Sequence, residues 1–398
     1  MHLKQLAQIN PTVKLVRNKE HPFVEMQDIV PGYRYVGSDK KRIFKGSNSR
    51  FKNGDILFAR ITPCLENGKI AQYLNETEND AFGSTEFVIM RHIEEVSDPS
   101  FLYYLVSSDI VTKPAEKSMF GASGRQRVDV NALGNLEVPN YTLDTQRRIA
   151  AILTPIDNLI HVNLKRSRIL ARIAQELYDE WFVHFRFPEY DNKDIIQTEF
   201  GRIPRRWQFS NLGDISNIIM GQSPKSIHYN EKGQGLPFHQ GVTNFGEIFP
   251  STKSYSTKGD RIAELDDILF SVRAPVGRIN IALNTMILGR GLCGIRSKTG
   301  NQAFLYEQLK RIFHEENIMG GGTIFNSVTK KDMHEIRVIL PEKSVMDKFE
   351  FIAKPIIDQI KILVKKNNEL LEIRKLLSHK LLSEDIDFNK LKIVADSD

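Results

Sequence analysis

The chain has 398 residues, 41% of them hydrophobic and 26% charged, with 55 Lys+Arg against 49 Asp+Glu for a formal net charge of +6. That length exceeds one comfortable core and predicts two or three domains, and the composition excludes disordered and fibrous classes. No apolar run approaches the ~18 residues of a membrane span and "MHLKQLAQINPTVK" lacks a signal-peptide core, so Cys64 and Cys293 read as reduced thiols of a cytoplasmic protein, unable to build a zinc site by themselves.

From Leu3, "LKQLAQIN" leads towards the densest basic cluster of the chain, "KKRIFKGSNSRFK". Lys40, Lys41, Arg42, Lys45, Arg50 and Lys52 stand there with two Phe and no acid. Such side chains supply phosphate contacts; the plain alternative is a solvated loop. Next, "GDILFARITPCLENGK" sets a short apolar strand after a turn, and its Ile-Leu-Phe reads as core. Arg60 follows that strand and Lys69 follows Gly68. Then come "DPSF", "FLYYL" and the glycine-rich "FGASGRQRV", with Arg125, Gln126 and Arg127, before "LEVP" ends at Pro139. Glycine permits close backbone approach, and Arg and Gln are base-reading types.

Beyond Pro139 the period changes. Apolar residues at three- and four-residue spacing, including Ile149, Ile156, Ile160, Leu170 and Leu177, predict a long amphipathic helix over 142–183. Pro155 either starts or kinks it. Asn163 interrupts the seam, where a buried position and a solvent-facing one are equally open. Trp181, Phe182 and Phe185 close the helix and read as packing against the second half. Residues 184–207 read as a linker.

The same signals then return in order. "LGDISNII" starts at Leu212, and "DILFSVRAPVGRINIA" starts at Asp267, 212 positions after Asp55. Arg273 follows the second strand and Arg278 follows Gly277; "FLYEQL", "GGGTIFNSV" with Thr323 and Asn326, and "RVILP" to Pro341 complete the copy. A second amphipathic helix over 342–384 carries Ile356, Ile360, Leu370 and Leu377, with Pro355 and Asn367, before a tail at 385–398. Five matches in one order indicate an internal duplication, a pseudo-two-fold repeat. Residues 1–141 and 208–341 read as similar α+β domains with irregular β-sheets. The two helices are expected to pair antiparallel as a coiled coil. Counted from its proline, each rod of about 28 residues rises roughly 42 Å, commensurate with a duplex turn of about 34–36 Å.

The order domain, helix, domain, helix resembles the specificity subunit of Type I restriction–modification systems. So do "GDILFARITPC…GK", "DTQRRIAAILTPIDNLI" and "FGRIPRRWQFSNLGDI". The resemblance implies two target-recognition domains, each reading half of a split double-stranded DNA sequence, with helices that set the gap. It further implies partners: two adenine methyltransferase (modification) subunits seated on the helices, and restriction/translocase subunits. It supplies no catalytic residues and no cofactor for this chain; S-adenosylmethionine, ATP and Mg²⁺ are expected on the partners.

Charge distribution agrees that any DNA contact is local. Residues 1–141 carry 18 Lys+Arg against 17 Asp+Glu, and residues 200–341 carry 18 against 12. The difference, with the unlike glycine-rich loops, predicts unlike half-sites. Arg60, Lys69, Arg273 and Arg278 are equally readable as DNA contacts or as residues that maintain a shared fold. In "DPSF", Ser100 replaces the second proline of an adenine-methyltransferase Asp-Pro-Pro-Tyr motif, and no glycine-rich cofactor turn accompanies it. Neither loop fits a phosphate-binding GxxxxGK[ST] motif, and the ten His show no HExxH spacing. The alternative is a coiled-coil adaptor whose domains read peptides rather than DNA.

Overall fold

The computed structural model describes residues 1–122, 124–190, 194–199, 201–314, 318–319, 323–324 and 327–383. The chain divides into two units, Met1–Leu164 with the residues from Lys366 onwards, and Lys165–Lys365.

Unit 1 begins with β1 (Ala7–Ile9), β2 (Glu20–Val24), β3 (Tyr35–Val36), β4 (Lys41–Ile43) and β5 (Ser49–Lys52). It continues through β6 (Ile56–Ala59), β7 (Ile70–Tyr73), β8 (Asp80–Gly83) and β9 (Phe87–His92). Helices α1 (Pro99–Val106), α2 (Asp109–Lys117) and α3 (Val130–Gly134) lead into the long α4 (Leu143–Tyr178). One sheet has the order β1-β9-β6-β7-β3 and the other β4-β2-β8-β5.

Unit 2 contains β10 (Ile195–Thr198), β11 (Gly201–Pro204), β12 (Gln208–Asn211), α5 (Leu212–Ile215) and β13 (Ser216–Met220). Then follow β14 (Tyr229–Asn230), β15 (Leu236–His239), β16 (Tyr255–Ser256), β17 (Ile262–Ala263) and β18 (Ile268–Ser271). After them come β19 (Ile279–Ile281), β20 (Met286–Leu288), β21 (Leu292–Ser297) and α6 (Gln302–Ile312). The hairpin β22 (Ile318–Met319) and β23 (Thr323–Ile324), α7 (Lys330–Glu335) and β24 (Arg337–Leu340) precede the long α8 (Lys343–Leu382). Its larger sheets run β13-β21-β18-β19 and β14-β16-β15-β20-β17.

The duplication read from the sequence is a duplication of topology and register. Ile56 on β6 faces Met90 on β9, and Ile268 on β18 faces Ile295 on β21. Each unit also carries one parallel pair in its second sheet, β2 with β8 and β15 with β20. The repeated Asp-Ile-Leu-Phe explains itself. Its three apolar residues are buried in both copies. Its aspartate accepts a turn amide, Lys52 N or Glu264 N, at 2.8 Å. Its carboxylate oxygens also take both ends of an arginine fork: Arg91 to Asp55 at 2.6 and 2.7 Å, Arg296 to Asp267 at 2.7 and 2.8 Å. A carboxylate so buried demands charged and bidentate partners.

Helix α4 has 36 residues and α8 has 40, and Pro155 and Pro355 lie inside them. The prolines therefore do not start the helices, and a rod counted from the proline is too short; the full elements rise roughly 54 and 60 Å at ~1.5 Å per residue. Ile160 and Ile360 are buried. Ile156, Leu170, Leu177, Ile356, Leu370 and Leu377 are half-buried flanks. The centre of the seam is one position round the helix, at Leu153, Asp157, Asn163, Ser167 and Ala174 on α4 and at Ala353, Ile357, Leu363 and Asn367 on α8. The asparagines do not face solvent: Asn163 donates to Asn367 at 2.8 Å, and Asn367 donates to the Ile160 carbonyl at 3.3 Å. Within unit 1 the helix segments are antiparallel, since Asn163 meets Asn367 and Asp157 meets Arg374. In unit 2 Tyr178 meets Phe349, with ring centres 6.0 Å apart. A π turn, Asp179–Val183, extends α4 and turns Trp181 and Phe182 into the unit 2 core against Phe304 and Phe349. Phe185 packs on Trp207 of the same unit.

Both units join sheet to helix, but by different chemistry. In unit 1 Arg374 binds Asp157 at 2.5 Å and the Gly32 carbonyl at 2.6 Å, and Tyr104 donates to the same aspartate at 2.7 Å. Burial pushes the Tyr104 hydroxyl up, so it stays protonated and donates. Arg34, 3% exposed, donates to Tyr104, Gln72, Ser100 and Thr154. The matching positions in unit 2 carry Ile248 for Arg34, Ile281 for Gln72, Ala303 for Ser100, Glu307 for Tyr104, Ile357 for Asp157 and Ala174 for Arg374. The first two correspondences follow from equivalent backbone bonds, Gln72 N to Arg34 O and Ile281 N to Ile248 O. A buried polar joint in one copy is thus a nearly apolar joint in the other.

Removing one partner of a buried ion pair strands the other. Arg374→Ala is expected to destabilise unit 1 by about 3–5 kcal/mol, while Asp157→Ile with Arg374→Ala, the residues of the second copy, recovers most of the loss. Urea unfolding of the three proteins checks this, and a double variant no better than the single one contradicts it.

His239 tests the same comparison. It is 1% exposed, neither ring nitrogen has a partner among the described residues, and the equivalent β2 position holds Val24. Burial lowers its pKa from 6.5 to about 4. The unfolded chain takes up the proton first, so stability is lost as pH falls from ~6.5 towards ~4, by on the order of 3 kcal/mol. His239→Val is expected to flatten the stability profile across that window in pH-dependent denaturation.

Candidate nucleic-acid interface

The end of β6 and the glycine-rich loop of unit 1 are one structure. Val128 N donates to the Arg60 carbonyl at 2.8 Å, Thr62 N to the Gln126 carbonyl at 3.0 Å, and Gln126 N to the Thr62 hydroxyl at 3.0 Å. Phe120 and Arg127 exchange backbone bonds of 3.0 and 2.9 Å, which closes a hairpin at its base. Glycine is needed at its tip: Gly121 and Gly124 have φ of +123° and +79°. Phe120 is 63% exposed beside it.

Unit 2 repeats this frame. Val328 N donates to the Val272 carbonyl at 2.9 Å, Arg273 bridges Ser327, and β22 and β23 form the hairpin, with Thr323 opposite Met319. Asn326 lies outside the described residues. Each unit has a cis proline at the turn, Thr62–Pro63 and Ala274–Pro275.

Equivalent backbone bonds set the correspondence of the arginines. Arg60 matches Val272 and Arg273 matches Ile61, so the two arginines are one residue out of phase and leave opposite faces of an extended segment. Lys69 does match Arg278, because Ala59 N binds the Lys69 carbonyl and Ser271 N the Arg278 carbonyl. The Lys69 ammonium donates to the Met26 carbonyl at 2.7 Å, a fold-maintaining contact. Arg278 is half-buried and lines a cleft of about 370 Å³ with Asp179, Glu247, Glu307 and Lys310.

The basic cluster 40–52 does not remain a cluster. Lys41 and Arg42 belong to the β4 edge of the second sheet, with Lys40 just before it, and Arg50 and Lys52 to β5 at its opposite edge. Lys40 pairs with Asp28 at 3.1 Å and Glu25 at 3.8 Å, Arg42 with Glu25, and Lys41 with Glu78. Arg42 also lies over the Phe23 ring at 4.3 Å. These acids lie outside the stretch in sequence, so three of its six basic residues are paired in space. Lys45 is exposed, and Arg50 and Lys52 are half-buried.

Of the predicted residues, Arg60 and Arg127 converge on one side chain, Glu86, which no motif marks, while Arg125 and Gln126 lie in the adjoining loop. The Glu86 carboxylate accepts Arg127 Nη2 at 2.7 Å and Nε at 3.0 Å, and Arg60 Nε at 3.2 Å. The Arg127 hydrogen bond holds the Glu86 carboxyl below its usual range, and Arg60 adds to it. Two guanidiniums on one carboxylate leave a local charge of +1. In unit 2 the three positions hold Val272, Gly291 and Ser327.

Asp98 of "DPSF" has a structural task. It caps α1, accepting Ser100 N and Phe101 N at 2.9 Å, with Pro99 in the first turn. Among the described residues no three His, Cys, Asp or Glu side chains group as metal ligands, and no helix is long and apolar enough to cross a membrane.

Residues 3–173 and 204–372 each match the family model described as the Type I restriction modification DNA specificity domain. The chain belongs to that family. It is 32% identical to a putative type I restriction enzyme MjaX specificity subunit of Methanocaldococcus jannaschii, over 84% of this chain and 78% of that one. The type I restriction enzyme HindI specificity subunit of Haemophilus influenzae is 23% identical, over 84% of this chain and 87% of its own. A solved Type-I restriction-modification system S subunit from M. genitalium shares the fold, with a TM-score of 0.51 at 18% identity over 96% of this chain and 95% of that one. A specificity subunit's task is sequence-specific DNA recognition, so the converged arginines are candidates for that task and the two domain matches correspond to the two copies of one frame.

Proposed function

We propose that unit 1 reads one half of a bipartite double-stranded DNA target and that unit 2 reads the other. What supports an asymmetric target is one observation: a shared backbone frame carries Arg60, Glu86 and Arg127 in one copy and Val272, Gly291 and Ser327 in the other. Side chains that differ so completely on one frame present different donors and acceptors to a groove. This chain binds and does not react. Methylation and cleavage belong to partner chains: two adenine methyltransferase subunits, and restriction/translocase subunits, supplied with S-adenosylmethionine, ATP and Mg²⁺. The long helices, each with residues in both units, dock the methyltransferase subunits and set the gap between half-sites. The setting is the cytoplasm.

Adenine methylation mapped genome-wide with and without this chain is expected to show a split motif with two unlike halves that vanishes with the chain. Methylation indifferent to sequence in both halves would sink the reading, and a salt-independent affinity for DNA would favour a protein adaptor instead.

Inserting one heptad after Leu164 and one after Lys365 adds roughly 10 Å of helix to each, or about three base pairs of duplex. The preferred gap between half-sites is expected to lengthen by that amount with both half-sites unchanged; an unaltered gap argues against the helices as spacer.

A further inference from the structure

We propose that Glu86 is a positioning residue that holds Arg127 ready to read a guanine, with the hairpin 120–127 entering the major groove of the unit 1 half-site. The inference rests on the DNA-reading role proposed above. A major groove admits a narrow two-stranded element, and the loop is drawn together at its base by the Phe120–Arg127 bridge, with Gly121, Ala122, Gly124 and Arg125 exposed beyond it. A guanidinium has five N–H donors in a rigid plane. Arg127 spends its Nε and one Nη2 hydrogen on Glu86, at 3.0 and 2.7 Å. Among the described residues nothing takes the outer fork of Nη1 and Nη2, and that fork matches the O6 and N7 acceptors of guanine. Its side chain is 44% exposed, whereas Glu86 is 21% exposed and is fixed a second time by Arg60. Without the carboxylate the arginine keeps its charge but loses its aim.

Charge makes the role separable from phosphate binding. Glu86 repels phosphates, so if Arg127 only held the backbone, removing the acid would strengthen binding to every sequence alike. The positioning role predicts loss of choice at one base pair instead. The experiment uses the chain assembled with its modification subunits, a library randomised in both half-sites, and the variants Glu86→Gln and Arg127→Lys. Both are expected to reduce the preference for guanine at one and the same position of the unit 1 half-site by roughly 5- to 150-fold, the range of a bidentate contact. Preferences in the unit 2 half-site stay intact and report correct folding, and the salt dependence for Arg127→Lys is unchanged. Uniformly tighter binding by Glu86→Gln without altered base choice overturns the inference, as does an unaltered profile for Arg127→Lys. If the wild-type assembly itself shows no sequence preference, the underlying reading fails rather than this refinement of it.

Discussion

The buried pairing of Asp55 with Arg91, repeated as Asp267 with Arg296, is the constraint on which each recognition frame depends. The aspartates are 1% and 2% exposed, so an unpaired charge there would be untenable. The arginine comes from the neighbouring strand, which ties β6 to β9 and β18 to β21 in one register. A one-residue slip would move every side chain of the apolar run to the wrong face. With the register held, the strand end always delivers the next residues to the same place, beside the glycine-rich hairpin. The candidate reading residues therefore sit on an element whose position does not depend on their own side chains.

The joint between sheet and helix follows a different rule. In unit 1 it is a connected polar network around Arg34 and Asp157; in unit 2 the same positions are mostly aliphatic. An apolar joint suffices for stability, since well-packed hydrophobic residues equal or exceed buried ion pairs. What the polar joint adds is discrimination. Asp157 and Asn163 on α4 are complemented by Arg374 and Asn367 on α8. Placed against a second α4 segment, Asp157 would meet the residue equivalent to Arg374, which is Ala174. The seam of unit 1 thus selects α8 rather than a copy of α4.

Most of the frame was legible in the sequence because it rests on local patterns. The Asp-Ile-Leu-Phe strands, the glycine hairpins and the helical seams declare themselves through spacing of a few residues. What was not legible was pairing over distance. Glu25, Asp28 and Glu78 pair with Lys40, Lys41 and Arg42, half of a basic run that looks uncompensated when read along the chain. Asp157 and Arg374 are 217 residues apart, and no period links them. The apparent match of Arg60 with Arg273 failed for a different reason: strand faces alternate, so an alignment correct in outline and wrong by one residue assigns the opposite face. The seam was misjudged in the same way, since Ile156 and Leu170 border a centre that includes polar residues and so escapes a search for apolar ones.

Pairing of half of the basic cluster with acids bears on how such a chain selects DNA. A strongly positive surface binds any duplex, and non-specific sites in a genome outnumber the target enormously. In unit 1 Lys40, Lys41 and Arg42 are paired with acids, and Glu86 is shared by Arg60 and Arg127. Pairing of that kind weakens the sequence-independent attraction of the residues it involves. On equivalent backbone hydrogen bonds the second copy holds Val272, Gly291 and Ser327, so three replacements change what that edge presents.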